Sequence, residues 1–168
     1  MSASDVLHVL TCLERAGVAA WLDGGWGVDA LVGEETRPHD DLDLVIALEA
    51  SDRTQEAMSA LGFSLSEDER PTRFVMRDSC DRRIDFHTVV FDQYRGGIQH
   101  LQDGASYRYP PEGFTGSGLV DGRPMCCLTP EVQVECHLGY APDGNDYHDM
   151  RLLHVHFGIA LPPPYDGI

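Results

Sequence analysis

The chain has 168 residues, 42% of them hydrophobic and 24% charged, with a formal net charge of -16. That length suits one domain with a core of its own, and the charge argues against a nucleic-acid partner, whose phosphates call for a basic surface. No apolar run approaches the ~18 residues of a membrane span, and MSASDVLHVL lacks the basic start and long apolar stretch of a signal peptide, so a cytoplasmic protein with no membrane partner is expected.

In chain order, Ser4 is positioned to cap a helix running to about Ala16, with Val6, Leu10 and Leu13 at helical spacing and Gly17 as the stop. Val18 to Leu22 reads as a short buried strand. Gly24-Gly25 then makes a sharp turn, and Trp26 to Val32 forms a short helix ended by Gly33. From Asp41 to Leu48 the residues alternate. Leu42, Leu44 and Ile46 take one face, while Asp41, Asp43 and Val45 take the other, which is the period of a strand. Ser51 or Asp52 caps a further helix to Leu61, closed by Gly62. Two more strands are expected, Arg73 to Met76 and Arg82 to Phe91; in the second, Asp85 and His87 share a face.

From Gly96 to Pro124 the chain is rich in Gly, Pro and aromatic residues and is expected to wind over the surface, with a tight hairpin turn at Asp121-Gly122. Thr129-Pro130 opens a helix to about His137, and Asp146 caps a last helix to Phe157, stopped by Gly158. The tail LPPPYDGI is expected to be loose. The order of elements predicts an α/β (α+β) protein: a mixed sheet flanked by helices, with a small helical C-terminal part. Residues 1-95 are expected to form the main core, and residues 96-168 to complete the same compact domain. Five cysteines without a CxxC argue for reduced thiols rather than a disulfide or zinc scaffold. All twelve basic residues are arginine, which excludes a P-loop with its lysine.

Asp41 and Asp43 lie two apart on one strand, so their carboxylates project from the same face. Like charges this close are costly unless a cation lies between them. Mg²⁺ takes oxygen ligands and is held by one or two carboxylates together with substrate phosphates. A third carboxylate on a neighbouring strand would complete a two-metal clamp of the kind that serves displacement at phosphorus, and Asp85 is the candidate. Gly24 and Gly25 would let backbone N–H groups approach a phosphate, and the following helix contributes the positive end of its dipole. Arg37 is placed to neutralise further charge. The acidic surface is compatible with a cationic substrate. Gly25 to Ala30 also matches a dinucleotide fingerprint, but three acids crowd the start of the next strand instead of one near its end.

At these residues the sequence resembles the nucleotidyltransferase superfamily of the DNA polymerase β type. The matching stretches are LDGGWGVDALVG, TRPHDDLDLVI and RRIDFH. More narrowly, WLDGGWGVD, IDFH, Glu131-Val132-Gln133 and His137-Leu138-Gly139-Tyr140 resemble short lincosamide nucleotidyltransferases. GGW, TRPHDDLDL and Gly122-Arg123-Pro124 are similar to aminoglycoside 2''-nucleotidyltransferases. The resemblance implies that Asp41, Asp43 and Asp85 bind Mg²⁺, two ions in all, and that Asp85 is also the base. Gly24 and Gly25 would cradle the triphosphate of ATP or another NTP. Larger members place a lysine there; Arg73, Arg82 or Arg83 would substitute for it. The implied reaction moves a nucleoside monophosphate to a hydroxyl of a small cationic antibiotic, lincosamide favoured over aminoglycoside, and releases pyrophosphate. A homodimer is compatible with the resemblance. The competing readings are a toxin–antitoxin enzyme acting on a macromolecule and a non-catalytic nucleotide-binding module.

Other residues carry two readings each. His39 either orients one of the acids or makes a structural polar contact. His87 is a candidate for touching acceptor or metal. Trp26 either stacks on a ligand or packs in the core. Asp40 is expected to face away from its neighbours, and Tyr107, Tyr109 and Phe114 are candidates for a pocket wall. His148-Asp149 and His154 to His156 invite a metal reading that helical spacing does not favour.

Overall fold

The computed structural model describes residues 1–167; Ile168, the last residue of the tail, lies outside them. The elements in order are α1 (Ala3–Arg15), β1 (Ala20–Asp23), α2 (Gly24–Val32), β2 (Asp41–Ala47), α3 (Ser51–Ala60), β3 (Ser64–Glu69), β4 (Arg73–Arg77) and β5 (Arg83–Phe91). There follow β6 (Gly97–His100), β7 (Ser106–Tyr109), β8 (Gly116–Val120), β9 (Arg123–Cys127), α4 (Pro130–Cys136) and α5 (Gly144–Phe157). The strands form one mixed sheet in the order β3-β4-β5-β2-β1-β9-β8, with β6 and β7 attached to the far end of β5. The expected mixed sheet with flanking helices and a helical C-terminal part is what the chain forms. Among the described residues no helix is long and apolar enough to cross a membrane.

The alternation of β2 decides what lies on each side of the sheet. Leu42, Leu44 and Ile46 are fully buried with Ile84 and Phe86 of β5 and Phe74 of β4, under Val6, Val9 and Leu13 of α1. The Phe74 and Phe86 rings stack at 4.9 Å. Each such side chain contributes roughly 1.5–3 kcal/mol of burial, so this face is held in register and the polar face opposite it is held with it. A second cluster, Val28, Val134, Met150, Leu153 and Tyr165, docks α2, α4 and α5 together.

Several local expectations change. The cap of α1 is Ser2, whose side chain and Asp5 form a reciprocal capping box; Ser4 lies inside the helix. Likewise α5 starts after Asp143, and Asp146 is the third-residue partner of that box, not the cap. α3 follows a short 3-10 turn and has no side-chain cap; the Ser51 hydroxyl donates instead to Leu48 O. Gly24 and Gly25 are not a free turn but the first residues of α2, behind Asp23 as the cap.

β3 was not anticipated. It is an edge strand, solvated along most of its length, so SLSEDE carries no apolar alternation to announce it. Nor does the Gly/Pro-rich segment wind loosely: it supplies two hairpins, β6-β7 and β8-β9, the second turning at Asp121-Gly122 as expected. The tail is anchored at Tyr165, which is 0% exposed and donates its hydroxyl to His137 O at 3.0 Å.

Candidate active site

β2 and β5 are parallel neighbours with Asp43 opposite Asp85, Asp41 opposite Arg83 and Val45 opposite His87. Residues directly opposite on adjacent strands share a face, so this pairing sets the acids of two distant segments side by side. Ligand-capable atoms of Asp43, Asp85 and His87 all lie within 4.8 Å of one another. Asp41 falls outside that tight group. It stands one step along the same face and meets Arg83 at 3.6 Å.

Asp85 is 5% exposed. Its Oδ2 accepts from Arg73 Nη1 at 2.8 Å and Arg83 Nη2 at 3.1 Å, while its Oδ1 is buried without any partner. An orphaned carboxylate oxygen costs free energy, and beside the Asp43 carboxylate it offers what a hard divalent cation takes. The donor set therefore fits Mg²⁺. Burial works against the His87 imidazolium, yet contact with Asp43 and the fields of Asp85 and Asp23 outweigh it and raise its pKa to about 9. The Asp41 carboxyl is raised by burial first and then by Asp43, with Arg83 opposing.

The stretch before β2 is held from two sides. Arg37 donates through Nε and Nη2 to both oxygens of Asp149 on α5, at 3.0 and 2.6 Å, and Asp149 is the main cause that raises the guanidinium pKa. His39 pairs with buried Asp29 of α2 at 2.6 Å, not with the acids of β2. Thr36 also binds Asp29, and His148 binds Thr36. Gly25 makes this approach possible. A Cβ there would overlap the Arg37 guanidinium and sit 2.6 Å from His39 Nδ1. At Gly24, with φ of +56°, a Cβ would meet Asp43 Oδ2 at 2.5 Å. Trp26 is 3% exposed and stacks on His39 at 4.5 Å, so it serves mainly the core.

A cleft of about 630 Å³ opens over this face. Its floor holds Asp23, Gly24, Gly25, Asp41, Asp43 and His87. Arg37, His39, Asp40, Tyr107, Tyr109, Glu135, His137, Tyr140, Asp143, Asp146 and Asp149 also line it, while buried Asp85 does not. Arg37 is the one arginine lining it among the described residues. Arg73 is engaged by Glu67, Glu69 and Asp85, and Arg82 is turned to Asp78, Asp5 and the Phe63 ring. Phe114 packs against Trp21 and Tyr109 behind the wall. Sequence reasoning missed Asp23, Glu135, Asp143 and Asp146 as cleft residues. The signals were there: Asp23 directly precedes the glycines, and the other three flank the HLGY stretch.

The chain is 25% identical over 153 residues to a lincosamide resistance protein of Staphylococcus haemolyticus, covering 91% of this chain and 94% of that one. It is 26% identical over 136 residues to a 2''-aminoglycoside nucleotidyltransferase of Klebsiella pneumoniae, covering 81% and 72%. The lincomycin-bound crystal structure of the lincosamide antibiotic adenylyltransferase LnuA superposes with a TM-score of 0.80 at 25% identity, covering 89% of this chain and 94% of that one. The model of the aminoglycoside-2''-adenylyltransferase family matches residues 5–153, and with most of its length inside that match the chain belongs to this family and is a nucleotidyltransferase.

Proposed function

We propose that this enzyme transfers a nucleoside monophosphate, AMP from ATP, to a hydroxyl of a small cationic antibiotic, a lincosamide in preference to an aminoglycoside. The single observation that carries the reading is the Asp43–Asp85 register: two carboxylates face each other beside a glycine-started helix, one with a buried oxygen left unpartnered. Asp41, Asp43 and Asp85 would hold two Mg²⁺ ions, which when bound neutralise phosphate charge and acidify the acceptor hydroxyl. The Gly24-Gly25 start of α2, through the Gly25 N–H, and the Arg37 guanidinium bind the triphosphate, since they line the same cleft; the Gly24 N–H, expected to join them, is instead taken by the Asp23 cap. The acceptor oxygen bonds to the α-phosphorus, the bond to pyrophosphate breaks, and the acceptor proton passes to Asp85. Of its two oxygens Oδ1 alone is open, to serve either as base or as metal ligand, because Oδ2 is occupied by Arg73 and Arg83.

The cationic acceptor is supported by the cleft itself, where Glu135, Asp143 and Asp146 line the same cavity as Asp41 and Asp43. The lincosamide preference is supported by length, since the lincosamide resistance protein is matched over 94% of its own chain and the aminoglycoside enzyme over 72%. The test is incubation of the protein with Mg²⁺ and ATP against lincomycin, clindamycin and tobramycin. Pyrophosphate release with a matching mass gain on lincomycin is expected. Label from ATP appearing instead on a macromolecule of a cell lysate would overturn the small-molecule acceptor.

A further inference from the structure

We infer that Asp23 is an acceptor-binding residue, whose free carboxylate oxygen receives an ammonium group of the acceptor where the catalytic floor meets the acidic wall. This rests on the proposed transfer to a cationic small molecule and supplies a residue that would hold it. Three observations carry it.

The first is register. Asp23 on β1 lies opposite Asp43 on β2, which lies opposite Asp85 on β5, so three carboxylates form one row across three adjacent strands. Asp23 is the end of that row nearest the wall. Burial raises its carboxyl pKa with His87 opposing, and it lines the cleft together with Tyr107, Tyr109 and Cys136.

The second is the state of the side chain. Asp23 is 6% exposed and lines the cleft. Its Oδ1 accepts from Gly24 N at 2.8 Å, which fixes the carboxylate, and its Oδ2 has no hydrogen-bond donor among the described residues. His87 is the main charge favouring its ionised form, yet makes no hydrogen bond to Asp23 and lies 3.8 Å from Asp43.

The third is what a structural role leaves unexplained. Capping α2 needs only a side-chain acceptor, and asparagine caps as well as aspartate. Burial and Asp43 both disfavour a charge on Asp23, and His87 is the main group opposing them, so the cap by itself does not call for an acid here. An ammonium on the acceptor would add a second counter-charge at the unpartnered Oδ2. It would also place the acceptor over Asp43 and Asp85, beside the oxygen free to take a proton.

The test uses Asp23→Asn, which keeps the acceptor for Gly24 N and removes the charge; Asp23→Ser, another capping side chain, carries the same test if the first variant does not fold. Binding of lincomycin and of tobramycin is measured by calorimetry with Mg²⁺ and a non-hydrolysable ATP analogue present. The expected result is a loss of about tenfold or more in affinity for whichever amine the unaltered protein binds, with ATP-analogue affinity kept within about twofold. Unchanged amine affinity overturns the assignment, as does binding of neither amine by the unaltered protein. A rise in the Mg²⁺ requirement would place Asp23 among the metal ligands and overturn it as well. An unaltered protein that binds an amine but transfers nothing to it contradicts the proposed reaction, and the amine affinity of the variant still decides Asp23.

Discussion

The two sides of the cleft are built differently. Its floor is sheet: Asp23 and Asp43 sit on paired strands with buried Asp85 on the next, backed by the Leu42, Leu44 and Phe86 core, and a slip of one residue would turn them all away. Its wall is helix ends and connections. Glu135 accepts from Tyr107 and Asp146 from Tyr140, in contacts at the solvent edge. The floor is therefore the side that can hold reacting atoms to fractions of an ångström, while the wall can vary its polar contacts without disturbing the core.

That contrast breaks most directly at Asp43. Asp43→Asn is expected to reduce transfer by at least about 10³-fold, near 4 kcal/mol of barrier, with circular dichroism unchanged. A variant that remains active with Mg²⁺ would show that the floor does not carry the chemistry.

Next comes the hinge between the two sides. Gly25→Ala pushes Arg37 off Asp149 and crowds His39, so KM for ATP is expected to rise roughly 10- to 100-fold, the worth of a charged hydrogen bond. Steady-state kinetics with ATP varied would read it, and an unchanged KM would remove Arg37 from the triphosphate.

On the wall the effect is expected to be smaller. Glu135→Gln should raise acceptor KM by about threefold to tenfold and leave kcat within about twofold, as suits an exposed charge. A fall in kcat matching that of Asp43→Asn would erase the division of labour between the two sides.

The smallest effect lies away from the cleft. Hydrogen bonds from Ser2 hold the Asp5 carboxyl at about 2, below its ordinary 3.8, with Arg82 adding to them. A depressed folded-state pKa gives stability that is present above pH 3.8 and lost as the pH falls through about 2. Asp5→Asn should lower stability by about 1 kcal/mol near neutrality, and the difference in melting temperature should close between about pH 4 and pH 2.

What could be read in the sequence was the information carried by local periodicity. Strict alternation from Asp41 to Val45 puts two carboxylates on one face whatever pairs with the strand, and the glycines at 24 and 25 announce a close approach before anything shows what approaches. What approaches was not legible. It is Asp43 at one glycine and Arg37 with His39 at the other, and Arg37 itself is tied to Asp149 on the far side of the chain.

The sequence by itself determined the helix and strand order around β2 and β5, the sheet class and the chemistry of DxD with a later acid, because side-chain spacing along one element is a local property. Only the tertiary structure decided that Asp43 faces Asp85, that Asp23 extends the row, that the edge strand β3 forms and that Tyr165 ties down the tail. Those depend on pairing register and on burial between segments far apart in the chain, and the local pattern carries no trace of either.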